Sequence, residues 1–195
     1  MGLCIYYNGK IKDAASLPHL IEEVKDIAAI NQWKYHVYES SFPNETLDSE
    51  EHLEPIFGIS FTPPNCESVT LTFLSNGVMV CPSCVEFFGN SKNETEKNYI
   101  YHLWTKTQFA GMVVHATIIN IFKYLNNKYL TDFKMQDESG YWETGDESVM
   151  QANFKKYDVL LDNFVLSMQT FPVQKGENMI SYFERLMEEV RKLKE

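Results

Sequence analysis

The sequence is short of cysteine, of basic side chains and of long apolar runs. Four cysteines in 195 residues do not make the disulfide framework of a small secreted domain. Lys and Arg together number 17 against 27 acids, a formal net charge of -10. A surface of that sign repels phosphate backbones and anionic lipid, so no nucleic acid and no membrane is expected as a partner. The one dense basic run, "RKLKE" at the end, alternates with acid and reads as a solvated helix end. No segment reaches the roughly 18 to 20 apolar residues needed to cross a bilayer. No charged-then-apolar leader opens the chain, and Tyr6 stands where a myristoylation signal has Ser or Thr. The expected location is therefore cytoplasmic, with the cysteines reduced and the Asn-x-Thr triplets at Asn44 and Asn93 unmodified. No H-x-x-x-H pair, nucleophile elbow or Gly-rich phosphate loop occurs, and no cofactor is expected.

What is present is ample apolar matter, 44% with 14% aromatic, enough for a core without metal or disulfides. Residues 3 to 7, "LCIYY", read as a strand closed by the hairpin dipeptide Asn8-Gly9. A helix capped by Ser16 follows, with Leu17, Leu20, Ile21, Val24, Ile27 and Ala28 in one stripe and Asn31 at its end. "WKYHVYES" alternates, placing Trp33, Tyr35 and Val37 on one face. Residues 43 to 55 form a loop and "IFGISF" a strand. Residues 68 to 81 form a hairpin about Asn76-Gly77. A two-residue turn sets Ser75 opposite Val78 and Thr72 opposite Cys81, and leaves Leu74 and Met79 on the outer face. There they are expected to contribute to a patch for a partner or a second copy. Residues 89 to 98 read as loop and "YIYHLW" as a further strand.

From 108 the pattern turns helical, with Thr107 as cap; "FKMQ" suggests one short strand. Two amphipathic helices close the chain. Their stripes are Met150, Phe154, Tyr157, Leu161, Phe164 and Met168, then Met179, Phe183, Leu186, Val190 and Leu193, with Glu188 and Lys192 as a supporting pair. The expectation is a single α+β domain over 1–195, mostly sheet with one helix over 1–106 and mostly helical over 107–195. Its antiparallel sheet has about five to six strands with helices on one face, and the two C-terminal helices offer a seam for a homodimer.

Three features carry candidate chemistry. Cys81-Pro82-Ser83-Cys84 has the letters of half a zinc site or of a thiol-exchange pair. The hairpin puts Cys66 six residues along the strand from Thr72, the expected partner of Cys81, which is too far to share a metal. The following "VEFFGNS" is a poor helix, so a structural turn accounts for the letters best.

His115 is the second feature. At 100° per residue, Phe122, Ile119, Gly111, Met112 and Ile118 fall within about 60° of it, so this imidazole stands at the centre of an apolar helix face. Gln108 lies two turns earlier on nearly the same line, with Gly111 between. Such a ring is either a core histidine bonded to a backbone carbonyl and to Gln108, or the floor of a pocket where Gly111 makes room for a ligand.

The third is "DESGYWETGDE", residues 137 to 147, with five carboxylates, two large rings and two glycines. Thr144 to Glu147 spells a capping box; Asp146 or Ser148 would cap equally well, and helix-start acids are favoured in any case. Tyr141 and Trp142 then either plug the core or line a cleft with Asp137 and Glu143 at its rim. The reading that joins these features is a pocket for a small molecule lined by Gln108, Gly111, His115, Tyr141, Trp142, Glu143 and Asp146. The protein would be a non-enzymatic domain binding a small ligand or a protein partner. The alternative is a hydrolase-type enzyme with His115 as general base beside Glu143 or Asp146, with or without a metal ion.

Overall fold

A computed structural model describes residues 2–192, without the side chains of Val190 and Lys192. Leu193, the Glu188–Lys192 pair and most of the terminal basic run therefore lie outside the described residues. The elements are β1 (Cys4–Ile11), α1 (Ser16–Ile30), β2 (Lys34–Val37), β3 (Phe57–Thr62), β4 (Val69–Phe73), α2 (Pro82–Phe88), α3 (Glu94–Lys97), a 3-10 turn (Asn98–Tyr101), β5 (Leu103–Lys106), α4 (Gly111–Tyr129), β6 (Leu130–Asp137), α5 (Tyr141–Thr144), α6 (Glu147–Thr170) and α7 (Met179–Lys192). The chain divides into two compact units, one from residue 2 to 154 and one from 155 onward.

The first unit is α+β, but its strands form two three-stranded antiparallel sheets, β5-β1-β6 and β2-β3-β4, rather than one sheet of five to six. The decisive strand is β1. It does not turn at Asn8-Gly9; it runs on to Ile11 with Ile5, Tyr7, Gly9 and Ile11 all inward. An unbroken period of two outweighs a turn dipeptide when both flanks already have partners. Those partners are β5, in register Ile5↔Thr105 and Tyr6↔Trp104, and β6, in register Ile5↔Asp137 and Tyr6↔Gln136. Gly9 sits where the β1–β6 register shifts, and a Cβ there would meet the Phe133 backbone and ring at 3.1 Å. Because β6 lies about 130 positions away, "FKMQ" showed only the middle of an eight-residue strand.

In the second sheet β3 is central and β2 is an edge, with Tyr35 exposed although Trp33 stacks on Phe61 at 5.5 Å. The hairpin after β4 is one residue out of the expected register. Phe73 pairs with Met79, Gly77 N donates to Leu74 O at 2.8 Å, and Leu74 N donates to Val78 O at 3.0 Å. Gly77 at φ +79° makes this a three-residue loop with a left-handed last position, the next commonest hairpin after the two-residue form. A one-residue slip exchanges faces: Leu74 and Met79, expected outside, are fully buried, and the patch they were to form does not exist. Gly58 in β3 has φ +120°, and a Cβ on it would lie 2.2 Å from Leu71 O. Gly58→Ala is expected to cost roughly 1–3 kcal/mol in urea unfolding; an unchanged midpoint would contradict the close strand approach.

The main core lies between the sheets and the helices α1 and α4. It includes Ile5, Tyr7 and Ile11 of β1, the α1 stripe, Phe57, Ile59 and Phe61, Val69, Leu71 and Phe73, and Ile118, Phe122 and Leu125. Tyr7 joins the two sheets: its hydroxyl donates to Thr70 O at 3.1 Å and accepts from Thr70 N at 2.9 Å. Burial pushes this phenol up to about 12, against those bonds. A smaller cluster of Leu74, Val80, Cys84, Val85 and Ile100 lies under α2 and the 3-10 turn. Here the expectation of a loop over 89–98 and a strand "YIYHLW" is corrected. α3 begins at an Asn93 cap whose Oδ1 accepts from Thr95 N at 3.0 Å, and only Leu103 onward is strand.

In the second unit, Tyr157, Leu161, Phe164 and Met168 of α6 form the expected half-buried stripe. Phe164 stacks on Phe183 at 6.3 Å, and Arg185 donates to both Glu177 oxygens at 2.8 Å. The α7 stripe is rotated from the expected one, with Tyr182 buried and Met179 exposed.

Candidate functional site

Two assemblies in the first unit bear on function. The first surrounds His115, which has no exposed surface. Thr107 Oγ1 lies 2.7 Å from Nδ1, Ser139 Oγ 2.8 Å from Nε2, and Asp137 Oδ1 3.1 Å from Nε2. The proton positions follow from this arrangement. The Ser139 hydroxyl donates to Asp137 Oδ2 at 2.7 Å, so Nε2 carries a hydrogen toward Ser139 and Asp137. Asp137 is the hub. Its Oδ1 also accepts from Ser139 N at 2.8 Å, and its Oδ2 from Tyr141 N at 2.9 Å and Trp142 N at 3.0 Å. Burial raises its carboxyl, but the hydrogen bond and charge of His115 and the two Ser139 bonds outweigh that and hold it at about 2.

The local sequence explains the knot. Asp137 ends β6, Ser139 N turns back onto its carboxylate, and Gly140 takes φ +74°, so the first amides of α5 point at the same oxygen. Ser, His and Asp are all here, but not in the order of a hydrolytic triad. There the carboxylate holds Nδ1 and the serine Nε2; here both share Nε2, and Nδ1 belongs to Thr107.

The other expected pocket residues are placed as follows. Gln108 is buried and its Oε1 accepts from Leu3 N at 3.1 Å. Gly111 adopts φ +82° and a Cβ on it would meet nothing within 4 Å. The glycine therefore serves the backbone at the start of α4, not room beside His115. Tyr141 and Trp142 are half-buried against the core. Trp142 meets Phe133 edge-on at 5.8 Å, and Lys123 Nζ lies 5.1 Å from the Tyr141 ring centre and 5.8 Å from that of Trp142. The ring that covers His115 is instead Phe154, edge-on at 5.3 Å. Glu143 and Asp146 are exposed. Asp146 Oδ1 caps α6 by accepting from Ser148 N at 2.7 Å, while Thr144 Oγ1 donates to Gly140 O. Sequence reasoning placed Asp137 only at a rim and missed Ser139. The spacing Asp-x-Ser-Gly before two aromatics was the available signal, since it spells a turn whose carboxylate captures helix amides.

The second assembly is open. On the outer face of β5-β1-β6, Trp104 and Tyr6 are cross-strand neighbours, Gln136 pairs with Tyr6 on its other side, and Asn8 pairs with Lys134. Both rings are presented to solvent, at 41% for Tyr6 and 45% for Trp104. Phe88 and Cys84 of α2, with Tyr99 and His102 about the 3-10 turn, rise beside this floor and enclose a hollow of about 620 Å³. The wall is an aromatic ladder, with Phe88 to Tyr99 at 5.4 Å and Tyr99 to His102 at 5.9 Å. Alternation alone points Tyr6 and Trp104 outward, but their meeting depends on a strand pairing 98 positions apart.

The cysteine pair differs from expectation. "PSCVEFF" is a helix, α2, with Cys81 as its cap and Val85 N donating to Cys81 O at 2.9 Å. Cys81 is half-buried and Cys84 buried. Burial, and then the neighbouring Cys81, pushes the Cys84 thiol up to about 12. Among the described residues no three His, Cys, Asp or Glu side chains gather as a metal site would require, and no helix is long and apolar enough to cross a membrane. No protein-family model, curated protein or solved structure matches the chain.

Proposed function

We propose that the protein is a binding domain for a small, flat organic molecule, held in the groove on the outer face of β5-β1-β6. The observation that carries this reading is the adjacent, solvent-presented pair Tyr6 and Trp104 under an aromatic wall. Two large rings side by side on a sheet surface cost solvation and do not serve the core. They gain when a flat face stacks on them. The hollow, about 620 Å³, falls in the usual range of small-molecule sites, roughly 300–1,000 Å³. Asn8, Gln136 and His102 supply hydrogen-bonding edges, and Lys134 a cation suited to a carboxylate or similar group on the ligand. The net charge of -10 works against a polyphosphate strand and in favour of a single small molecule.

The rival reading, a hydrolase with His115 as general base, requires substrate to reach a ring with no exposed surface. Its intended carboxylates, Glu143 and Asp146, are engaged elsewhere, with Asp137 N and Ser148 N. The buried knot therefore supports a structural role.

The test is an NMR titration of the full chain with adenosine, indole-3-acetate and methyl glucoside, followed at the Trp104 indole N–H. At least one compound is expected to shift that resonance saturably, and Trp104→Ala to weaken its binding about tenfold, the equivalent of one lost stacking contact of roughly 1.4 kcal/mol. If none of the three shifts Trp104, or Trp104→Ala binds as well as the parent, the groove is not the site.

A further inference from the structure

Of the Cys81–Cys84 pair, Cys84 contributes to the wall of the groove and Cys81 lies outside it. Cys81 is the N-cap of α2 and Cys84 the third residue of that helix, so the two thiols stand one turn apart. They differ in access. Cys81 is half-buried and opens into a separate hollow of about 200 Å³, which Glu67, Thr70, Ser83 and Trp104 also line. Cys84 is only 6% exposed. Ser83 Oγ sits 3.2 Å from Cys81 Sγ, a polar neighbour at that sulfur. Residues three apart on a helix have Cβ atoms about 5–6 Å apart, and a disulfide needs about 3.5–4.5 Å. Cys81 is the cap rather than a helical residue, with φ -90° and ψ 113°, so a small rotation of the cap closes that gap without unwinding α2.

We propose that Cys81 and Cys84 form a thiol–disulfide exchange site for a low-molecular-weight disulfide, with Cys81 attacking and Cys84 resolving. This goes beyond ligand binding in the groove and does not depend on it. The Cys81 sulfur, as thiolate, attacks one sulfur of the external disulfide. The external S–S bond breaks, a mixed disulfide forms on Cys81, and the first small thiolate leaves and takes up a proton. Cys84 then gives its proton to water and attacks Cys81 Sγ. The mixed disulfide breaks, the Cys81–Cys84 bond forms, and the second small thiol departs. Two protein thiols are oxidised and one external disulfide is reduced to two thiols. The burial that raises the Cys84 thiol lowers its thiolate fraction and makes resolution the slower step. Burial raises the Cys4 and Cys66 thiols as well, Cys66 to about 12.

The test incubates the full chain with oxidised glutathione, quenches with acid at intervals, alkylates the remaining thiols and maps all four cysteines by mass spectrometry. In the parent protein, glutathione appears first on Cys81, roughly tenfold faster than on Cys4 or Cys66, and is then lost as an internal Cys81–Cys84 disulfide forms. Cys84→Ser stops at the mixed disulfide on Cys81, and Cys81→Ser carries no glutathione at Cys84. Should a variant fail to fold, the order of events in the parent decides alone. Equal modification of all four cysteines, no adduct on Cys81, or an adduct that never resolves would overturn the assignment.

Discussion

His115→Ala is expected to lower the unfolding free energy by roughly 3–5 kcal/mol. The size follows from what the ring leaves behind. Asp137 stays in the interior with a side chain that has no exposed surface and loses its cationic or N–H partner. The Thr107 hydroxyl, also fully buried, keeps only a long 3.4 Å bond to Leu3 O. A void opens beneath Phe154, whose edge rests on the imidazole at 5.3 Å. Each unsatisfied polar group costs about 1–3 kcal/mol, and the void adds to that. Urea unfolding followed by far-UV circular dichroism measures the sum. A loss under about 1 kcal/mol would mean that the knot adjusts freely and that the ring is dispensable to the fold.

Asp137→Asn is expected to cost a similar amount, roughly 3–5 kcal/mol, although it changes one atom. Both carboxylate oxygens accept. Oδ1 takes Ser139 N and His115 Nε2, and Oδ2 takes the Ser139 hydroxyl and the amides of Tyr141 and Trp142. Whichever oxygen becomes an NH2 group then faces at least two donors with a donor. The same carboxylate gives a pH signature. Its folded value of about 2 lies below the 3.8 of a free aspartate, so its contribution is fully present above about pH 4. It is lost as the pH falls through the folded value near 2. The loss is on the order of 2 kcal/mol. In Asp137→Asn this component of the acid limb is missing. An acid limb that stayed the same in the variant would contradict the role of Asp137 as an ionised hub.

How much of this was legible depends on the range of the cause. The α1 stripe, the Asn31 stop and the loop over 43–55 are local, and the letters Leu17, Leu20, Val24 and Ala28 carry the first of them. The division into two sheets is not local. It depends on β1 running through Asn8-Gly9, which becomes intelligible only once β5 and β6 flank it on both sides. The hairpin at Asn76-Gly77 shows how one residue decides exposure. Gly77 closes a three-residue loop rather than a two-residue one, and Leu74 and Met79 move from surface to core. His115 was visible as a polar residue on an apolar face, and its burial follows from that. Its partners were not, because Thr107 read as a cap and Ser139 as a loop letter. Gly111 misled: inside a helix expected from 108 a glycine reads as space, but the helix starts at Gly111 and the glycine answers to φ +82°. Tyr6 and Trp104 were ordinary alternating residues until the β1–β5 register set them side by side.

The central claim is a division of labour, with the His115 knot holding the fold and the Tyr6–Trp104 groove holding the ligand. A thermal-shift titration tests it most directly, using the tightest binder among adenosine, indole-3-acetate and methyl glucoside with the parent chain, His115→Gln and Trp104→Ala. The account predicts that His115→Gln melts several degrees lower yet keeps the full ligand-induced rise, whereas Trp104→Ala melts with the parent and loses that rise. The reverse pattern, with the rise abolished by His115→Gln and retained by Trp104→Ala, would contradict it and return the binding site to the buried histidine.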